Sequence, residues 1–202
     1  EIAKRICENQ KEHTFYLIFD REFDDSFVFT KNCIPIKLGP PTRHPLLTLF
    51  WTRYQLHKAL KRYKIDIFWS PDGICDLNTE IPQITTIHDL NFEYYPEDSP
   101  KWVSWYYRRY YPQYARKANQ IITVSNYSKN DICNCYNIDQ EKISVVYNGV
   151  SNEFGPISNE EKAKYQTSYT KGKPYFIFVG SIHPRKNVNR LLEAYKLFHK
   201  KN

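Results

Sequence analysis

Methionine is absent from all 202 residues, position 1 included. The chain opens directly on a helix-like stretch, Ile2 to Cys7, and closes shortly after His199-Lys-Lys. Both ends therefore read as cuts in a longer polypeptide, with processing of a precursor as the alternative. Cysteine is sparse: Cys7, Cys33, Cys75, Cys133 and Cys135 are odd in number and scattered, so they do not form a disulfide framework. Cys133 and Cys135 lie two apart on an expected helix and point to different faces, a poor geometry for one metal. Reduced thiols suit a cytoplasmic protein. No apolar run is long enough to cross a bilayer, and no signal peptide is visible. Internal repeats, low-complexity tracts and metal-ligand constellations are missing as well.

What is present argues for a folded chain. The hydrophobic fraction is 41% and the aromatic fraction 16%, well above the composition of disordered segments. Lys and Arg number 29 against 22 Asp and Glu, a formal charge of +7. That excess favours anionic partners, whether phosphorylated ligands, membrane surfaces or nucleic acid, without choosing among them.

Strand and helix signals alternate from Phe15 to Tyr147. Phe15 to Phe19, Ile65 to Trp69, Ile84 to Ile87, Ile121 to Val124 and Ile143 to Tyr147 read as strands; Phe27 to Phe29 and Ile34 to Ile36 are weaker, with Pro35 making the latter an edge or a loop. His44 to Lys64 carries a helical apolar side through Leu46, Leu49, Phe50, Leu56, Leu60 and Tyr63. Ser70-Pro-Asp-Gly73 and Asn148-Gly149 are turn signals. Ser99 and Pro100 predict the cap and first residue of an aromatic-rich helix, Trp102 to Tyr114, kinked at Pro112. Ser125 to Tyr136 is another helix. This alternation predicts a doubly wound parallel sheet.

A polar stretch, 151–173, separates this region from a second apolar one and reads as a linker with a short helix around Glu160 to Tyr165. Tyr175 to Val179 then predicts a buried strand, followed by a turn at Gly180, a Pro184-Arg-Lys-Asn187 loop and a helix with Val188, Leu191, Leu192 and Tyr195 on its apolar side, capped by Asn187. A strand feeding a helix through a basic loop suits phosphate: the helix start offers N–H groups and two cations add charge. Solvated surface charges are the competing explanation of Arg185 and Lys186.

The string Val179-Gly-Ser-Ile-His-Pro-Arg-Lys-Asn-Val with Leu191-Leu-Glu-Ala-Tyr resembles the opening of the donor-binding domain in family-four glycosyltransferases of the GT-B fold, mannosyltransferase-like members above all. Lys64 to Gly73, Thr86-Ile-His-Asp-Leu90, Ile122 to Ile132 and Val146 to Ser151 resemble family segments in the family's order. The resemblance covers roughly Arg53 to Tyr195. It implies an α/β GT-B architecture: an acceptor-binding Rossmann-like domain over 1–150, incomplete at its N-terminal end; a linker over 151–173; and, over 174–202, the first strand-loop-helix of a second Rossmann-like domain.

The resemblance also assigns roles. Arg185 and Lys186 would contact the diphosphate of a nucleotide sugar, with Gly180 and Ser181 lining the turn. His88, at the carboxyl end of a strand where open α/β sheets hold ligands, would face the donor sugar; a structural histidine is the bland alternative. Asp89 is expected to be structural, since the family retains configuration and needs no base there. Ser125 and Ser128 are candidates for acceptor contact or helix capping. No metal and no cofactor are implied beyond the nucleotide diphosphate sugar. The implied activity is hexosyl transfer, perhaps of mannose, to a saccharide or lipid-linked acceptor in cell-surface polysaccharide synthesis, in the cytoplasm or peripherally at the inner membrane face.

Aromatics mixed with Lys101, Arg108, Arg109, Arg116 and Lys117 fit core packing first, a membrane interface second and nucleic-acid stacking third. The family's Gly-rich first strand and its Glu-x7-Glu motif have no counterpart here, and Glu193 lies on the wrong helix for the latter. The chain alone is therefore expected to be inactive. The competing classes are a non-enzymatic module binding phosphate or nucleic acid, and a truncated pseudoenzyme that pairs with a partner.

Overall fold

Among the described residues of the computed structural model six strands form, all parallel and in two sheets. The structure describes residues 1–151 and 153–201; Asn152, inside the expected linker, and Asn202 lie outside them. By internal contacts the chain divides into two units, Glu1–Asn148 and Gly149–Asn202.

In the first unit, helix α1 (Ile2–Asn9) precedes β1 (Phe15–Phe19), which pairs in register with β2 (Cys33–Lys37), Phe15 opposite Cys33 and Phe19 opposite Lys37. Pro35 is tolerated because β2 has only one neighbour and its other edge needs no N–H. The second sheet runs β3 (Phe68–Ser70), β4 (Gln83–Thr86), β5 (Gln120–Thr123), β6 (Ile143–Val145), in that spatial order. Parallel strands need long crossovers. Here α5 (Lys101–Lys117) lies between β4 and β5, and α6 (Asn126–Tyr136) between β5 and β6.

The larger core lies beneath these helices: Ile87, Leu90, Tyr114, Ala115, Ile121 and Ile132 are almost fully buried. A smaller core of Trp51, Leu56 and Leu60 packs Ile18 of β1 and Phe68 of β3, tying the two sheets together. Its residues come from one continuous helical stretch, α2 (Pro45–Phe50), a π turn (Trp51–Leu56) and α3 (His57–Arg62). Asp76, buried to 1%, is matched by His57 Nδ1 at 2.7 Å and by Asn78 N at 2.9 Å. Its own N–H donates to Gln83 Oε1 at 2.8 Å, so the buried residue has a partner on each carboxyl oxygen and on its backbone.

Several expected elements differ. Phe27 to Phe29 is not a strand: Asp25–Phe27 is a 3₁₀ turn, and Asp24 accepts from Ser26 N at 2.8 Å. Short polar side chains there compete for the backbone. β3 starts at Phe68, not Ile65, because Lys64 is left-handed (φ 50°) and Ile65 N bonds Leu60 O at 3.0 Å, closing α3. Ser99 is not a helix cap: α5 begins at Lys101, and the Pro100 carbonyl accepts from Val103 and Ser104. α5 runs unbroken through Pro112, which is compatible with the bend expected there, and Gln113 Nε2 donates to Arg109 O at 2.7 Å. No turn forms at Asn148-Gly149; Val146 N instead extends the ladder to Thr123 O at 2.8 Å.

The second unit holds α7 (Asn159–Thr170) and α8 (Val188–Lys201). A reciprocal capping box between Ser158 and Glu161 starts α7. Tyr175 to Val179 is neither buried nor a strand: its side chains are exposed and no strand lies beside it among the described residues of its unit. Phe176 instead meets the rings of Tyr195 and Phe198 edge-on at 6.0 and 5.5 Å.

Candidate active site

The carboxyl ends of β3 and β4 build the site. After β3 the chain turns through Ser70-Pro71-Asp72-Gly73, with Ser70 Oγ accepting from Ile74 N at 3.2 Å. Gly73 is required: its φ is +75°, and a Cβ there would stand 2.7–2.8 Å from the Tyr111 ring. Tyr111 also donates its hydroxyl to Asp72 O at 2.9 Å, so α5 holds the turn from outside. β4 delivers Ile87, buried to 1%, and then His88. The exposed His88 ring donates from Nε2 to Pro71 O at 3.2 Å, which orients the ring.

His88, Ile74 and Tyr111 line a cavity of about 440 Å³ with Asp72, Thr86, Asp89 and Tyr107. The opposite wall comes from Thr42, Arg43, His44 and the first turn of α2. That wall is anchored from β1: Asp20 accepts from Thr42 N at 2.6 Å and from its hydroxyl at 2.7 Å, while Arg21 makes a bidentate pair with the same carboxylate. The pair with Arg21, then the bonds from Thr42, hold the Asp20 carboxyl well below the usual carboxylate range. Burial pushes the Tyr111 and Tyr107 phenols up, and both remain neutral hydrogen-bonding groups on the wall. A cavity with a tethered imidazole, one guanidinium, carboxylates and aromatic faces suits a polyhydroxylated ligand.

The expected site residues fall into three places. His88 and Asp89 share the cavity; Asp89 Oδ1 also accepts from Asn91 N at 2.9 Å, starting α4 (Asn91–Tyr94). Ser125 and Ser128 do not line it. Ser125 caps α6 by accepting from Ser128 N at 3.0 Å and donates to Ser128 Oγ at 3.0 Å. Gly180, Ser181, Arg185 and Lys186 belong to the other unit and are exposed. There Pro184–Lys186 is a 3₁₀ turn. Arg185 N donates to His183 Nδ1, Lys186 N to His183 O and Asn187 N to Pro184 O, at 2.8–3.3 Å. Those N–H groups are spent within the turn, and the Arg185 and Lys186 side chains stand exposed beside it. Asn187 is left-handed (φ 50°), and its carbonyl, accepting from Leu191 N, opens the helix; no side-chain cap bond from Asn187 is present among the described residues.

Sequence reasoning missed Asp20, Thr42, Arg43 and His44. The signal for the last was available: His44-Pro45 is a cap followed by proline in the first helical turn, and His44 Nδ1 accepts from Leu46 N at 3.2 Å. Nothing local marks Asp20, whose role comes from a partner 22 residues away.

Residues 5–154 match the model of Glycosyltransferase Family 4. The chain belongs to this family. The match takes in the His88 cavity and stops before Gly180, and it begins well before Arg53, where the sequence motifs first become legible. The chain is 31% identical over 157 residues to the O-antigen chain mannosyltransferase RfbU of Salmonella typhimurium, covering 76% of this chain and 40% of that protein. It is 30% identical over 143 residues to O-antigen chain mannosyltransferase B of Escherichia coli, covering 69% and 36%. A glycosyltransferase structure from Rickettsia africae superposes with a TM-score of 0.50 at 18% identity, over 83% of this chain and 44% of that one. The family-four chain thus has the Rossmann-like GT-B fold and spans about two-fifths of the length of these curated relatives.

Proposed function

We propose that this family-four chain serves as the acceptor side, with the entry to the donor side, of a glycosyltransferase that moves a hexosyl group from a nucleotide diphosphate sugar to a saccharide or lipid-linked acceptor. The names of the two O-antigen relatives favour mannose and a surface polysaccharide. The observation that carries the reading is the tethered His88 on the wall of a 440 Å³ cavity, at the carboxyl edge of a parallel sheet, within the family match.

In this mechanism the cavity holds the acceptor. The His88 ring, fixed through Nε2, presents Nδ1 to hydroxyls of the transferred sugar. For the second unit, taken by itself, the proposal is that the Arg185 and Lys186 side chains meet a nucleotide diphosphate, placing positive charge where negative charge develops on a leaving group. The sugar's configuration is retained, Asp89 serves the backbone turn, and no metal or cofactor takes part. Work proceeds in the cytoplasm, with contact at the inner membrane face. No helix among the described residues is long and apolar enough to cross a membrane.

A panel of UDP-, GDP- and ADP-linked sugars, offered to the product of the complete reading frame, tests this. Release of one nucleoside diphosphate well above the others is the expected result. No turnover of any donor, together with nucleic-acid binding that collapses with salt, would replace the reading with the non-enzymatic one.

A further inference from the structure

Two thiols that lie far apart in the sequence meet in the fold. Cys7 on α1 and Cys33 at the start of β2 are 2% and 6% exposed, and their sulfurs stand against each other, close enough for one thiol to donate to the other. The backbone around them fixes the approach. Asn32, next to Cys33, donates from Nδ2 to the carbonyls of Cys7, Gln10 and His13 at 3.3, 3.1 and 3.0 Å, which pins the end of α1 to the entry of β2. β2 in turn is held in register on β1.

Donors converge on one of the two sulfurs. Thr30 Oγ1 lies 3.2 Å from Cys33 Sγ, and the N–H groups of Thr30 and Phe29 turn towards it. Thr30 Oγ1 also reaches Asn32 Oδ1, so these donors sit in the same short loop that pins α1. Burial raises the Cys33 thiol, but the bonds from Thr30 and from Cys7 outweigh it and leave Cys33 below its ordinary value. Burial, and then the Cys33 sulfur, push Cys7 up. One sulfur inclined to ionise thus lies beside one that keeps its proton, the division of labour of an attacking and a resolving thiol. Cys75 differs, a thiol raised by desolvation in the larger core, and so does Cys135, which is exposed on α6.

We propose that Cys7 and Cys33 form a reversible oxidation site, closed to a disulfide by a small hydroperoxide and reopened by a low-molecular-weight thiol. In the first step the Cys33 thiolate attacks the peroxide, the O–O bond breaks, Cys33 becomes a sulfenic acid and hydroxide leaves. In the second, the Cys7 sulfur attacks the Cys33 sulfur, the S–S bond forms, and the sulfenic hydroxyl departs as water with the Cys7 proton. Two thiols and one peroxide give one disulfide and two waters, and the sulfurs lose the two electrons that the peroxide gains. Cys7 needs no access of its own, because its partner is already beside it. The closed bond ties α1 to β2 around β1. The site does not depend on the glycosyl-transfer reading.

The test is peptide mapping of the 202-residue chain after brief treatment with hydrogen peroxide. Trypsin places the two cysteines on separate peptides, 6–11 and 32–37. These are expected to appear joined, at their summed mass less two hydrogens, and to separate again in dithiothreitol. Cys7→Ser should leave Cys33 as a sulfenic acid that dimedone traps. Thr30→Val should slow closure about fivefold or more, since one hydrogen bond to a charged sulfur is lost. The oxidised chain should melt higher than the reduced one, because the bond restricts the unfolded chain. Mapping of the unsubstituted chain needs no variant, so a variant that fails to fold leaves the result standing. Peptides 6–11 and 32–37 still free at the peroxide dose that oxidises Cys135 would overturn the proposal. So would a bridge from either peptide to a different cysteine, or a melting temperature that falls on closure, which would show the two sulfurs misplaced for a bond.

Discussion

Gly73 shows how one residue governs the site. With φ at +75° and the Tyr111 ring where a Cβ would stand, Gly73→Ala should destabilise the first unit by about 1–3 kcal/mol, read as a drop in melting temperature. It should also displace Pro71, the carbonyl that orients His88. Asp20 supplies a pH dependence. Its carboxyl is held low by Arg21 and Thr42, so its contribution to stability is complete above the unfolded carboxyl value of about 3.9 and is lost as pH falls below it. Asp20→Asn should therefore lower stability at neutral pH and flatten the acid side of the stability curve; an unchanged curve would show that the Thr42 anchor contributes nothing. The thiols divide by burial. Desolvation pushes Cys75 up to about 12 and raises Cys7 as well, whereas Cys135 is exposed. A thiol reagent at pH 8 should label Cys135 first and reach Cys7 and Cys75 only on unfolding.

Elements were legible where local chemistry decides them. Phe15 to Phe19 and Ile121 to Val124 are apolar runs that parallel sheets bury, and both appear within a residue or so of their expected bounds. Ser125 and Ser158 announce their helices by side-chain caps. Because α7 has no apolar stripe and no buried residue, its cap carries unusual weight: Ser158→Ala should cost about 1 kcal/mol and visibly reduce helicity near 222 nm. The strand expectations that failed share one cause. Ile65, Phe27 and Tyr175 to Val179 have strand-like side chains, but a strand also needs a neighbour for its backbone. Ile65 gives its N–H to the end of α3, Asp24 captures the turn before Phe27, and Tyr175 to Val179 finds no partner strand among the described residues of its unit. The cavity was half legible. His88 follows from the rule that ligands sit beyond the carboxyl ends of strands. The wall of Thr42, Arg43 and His44 depends on a loop position set by Asp20 across 22 residues, which no local pattern encodes.

At the scale of the molecule, the family match over residues 5–154 covers the unit that bears the cavity, and the basic Pro184–Lys186 turn lies beyond it in the second unit. The chain spans 36–40% of the length of its O-antigen relatives, and transfer by the whole protein is the proposal to be tested. The purified 202-residue chain should release no nucleoside diphosphate from any sugar donor; release would show that His88 and the Arg185-Lys186 turn suffice. The measurement that tests the central claim most directly is sugar transfer from the preferred donor by the complete product, compared with its His88→Ala variant at equal folded concentration. The account predicts a fall in kcat of about 10²-fold or more, as for loss of a positioned group that acts in the transition state, with little change in melting temperature because the ring is exposed. Transfer at the unsubstituted rate by the His88→Ala variant would contradict it and move the chemistry away from this cavity.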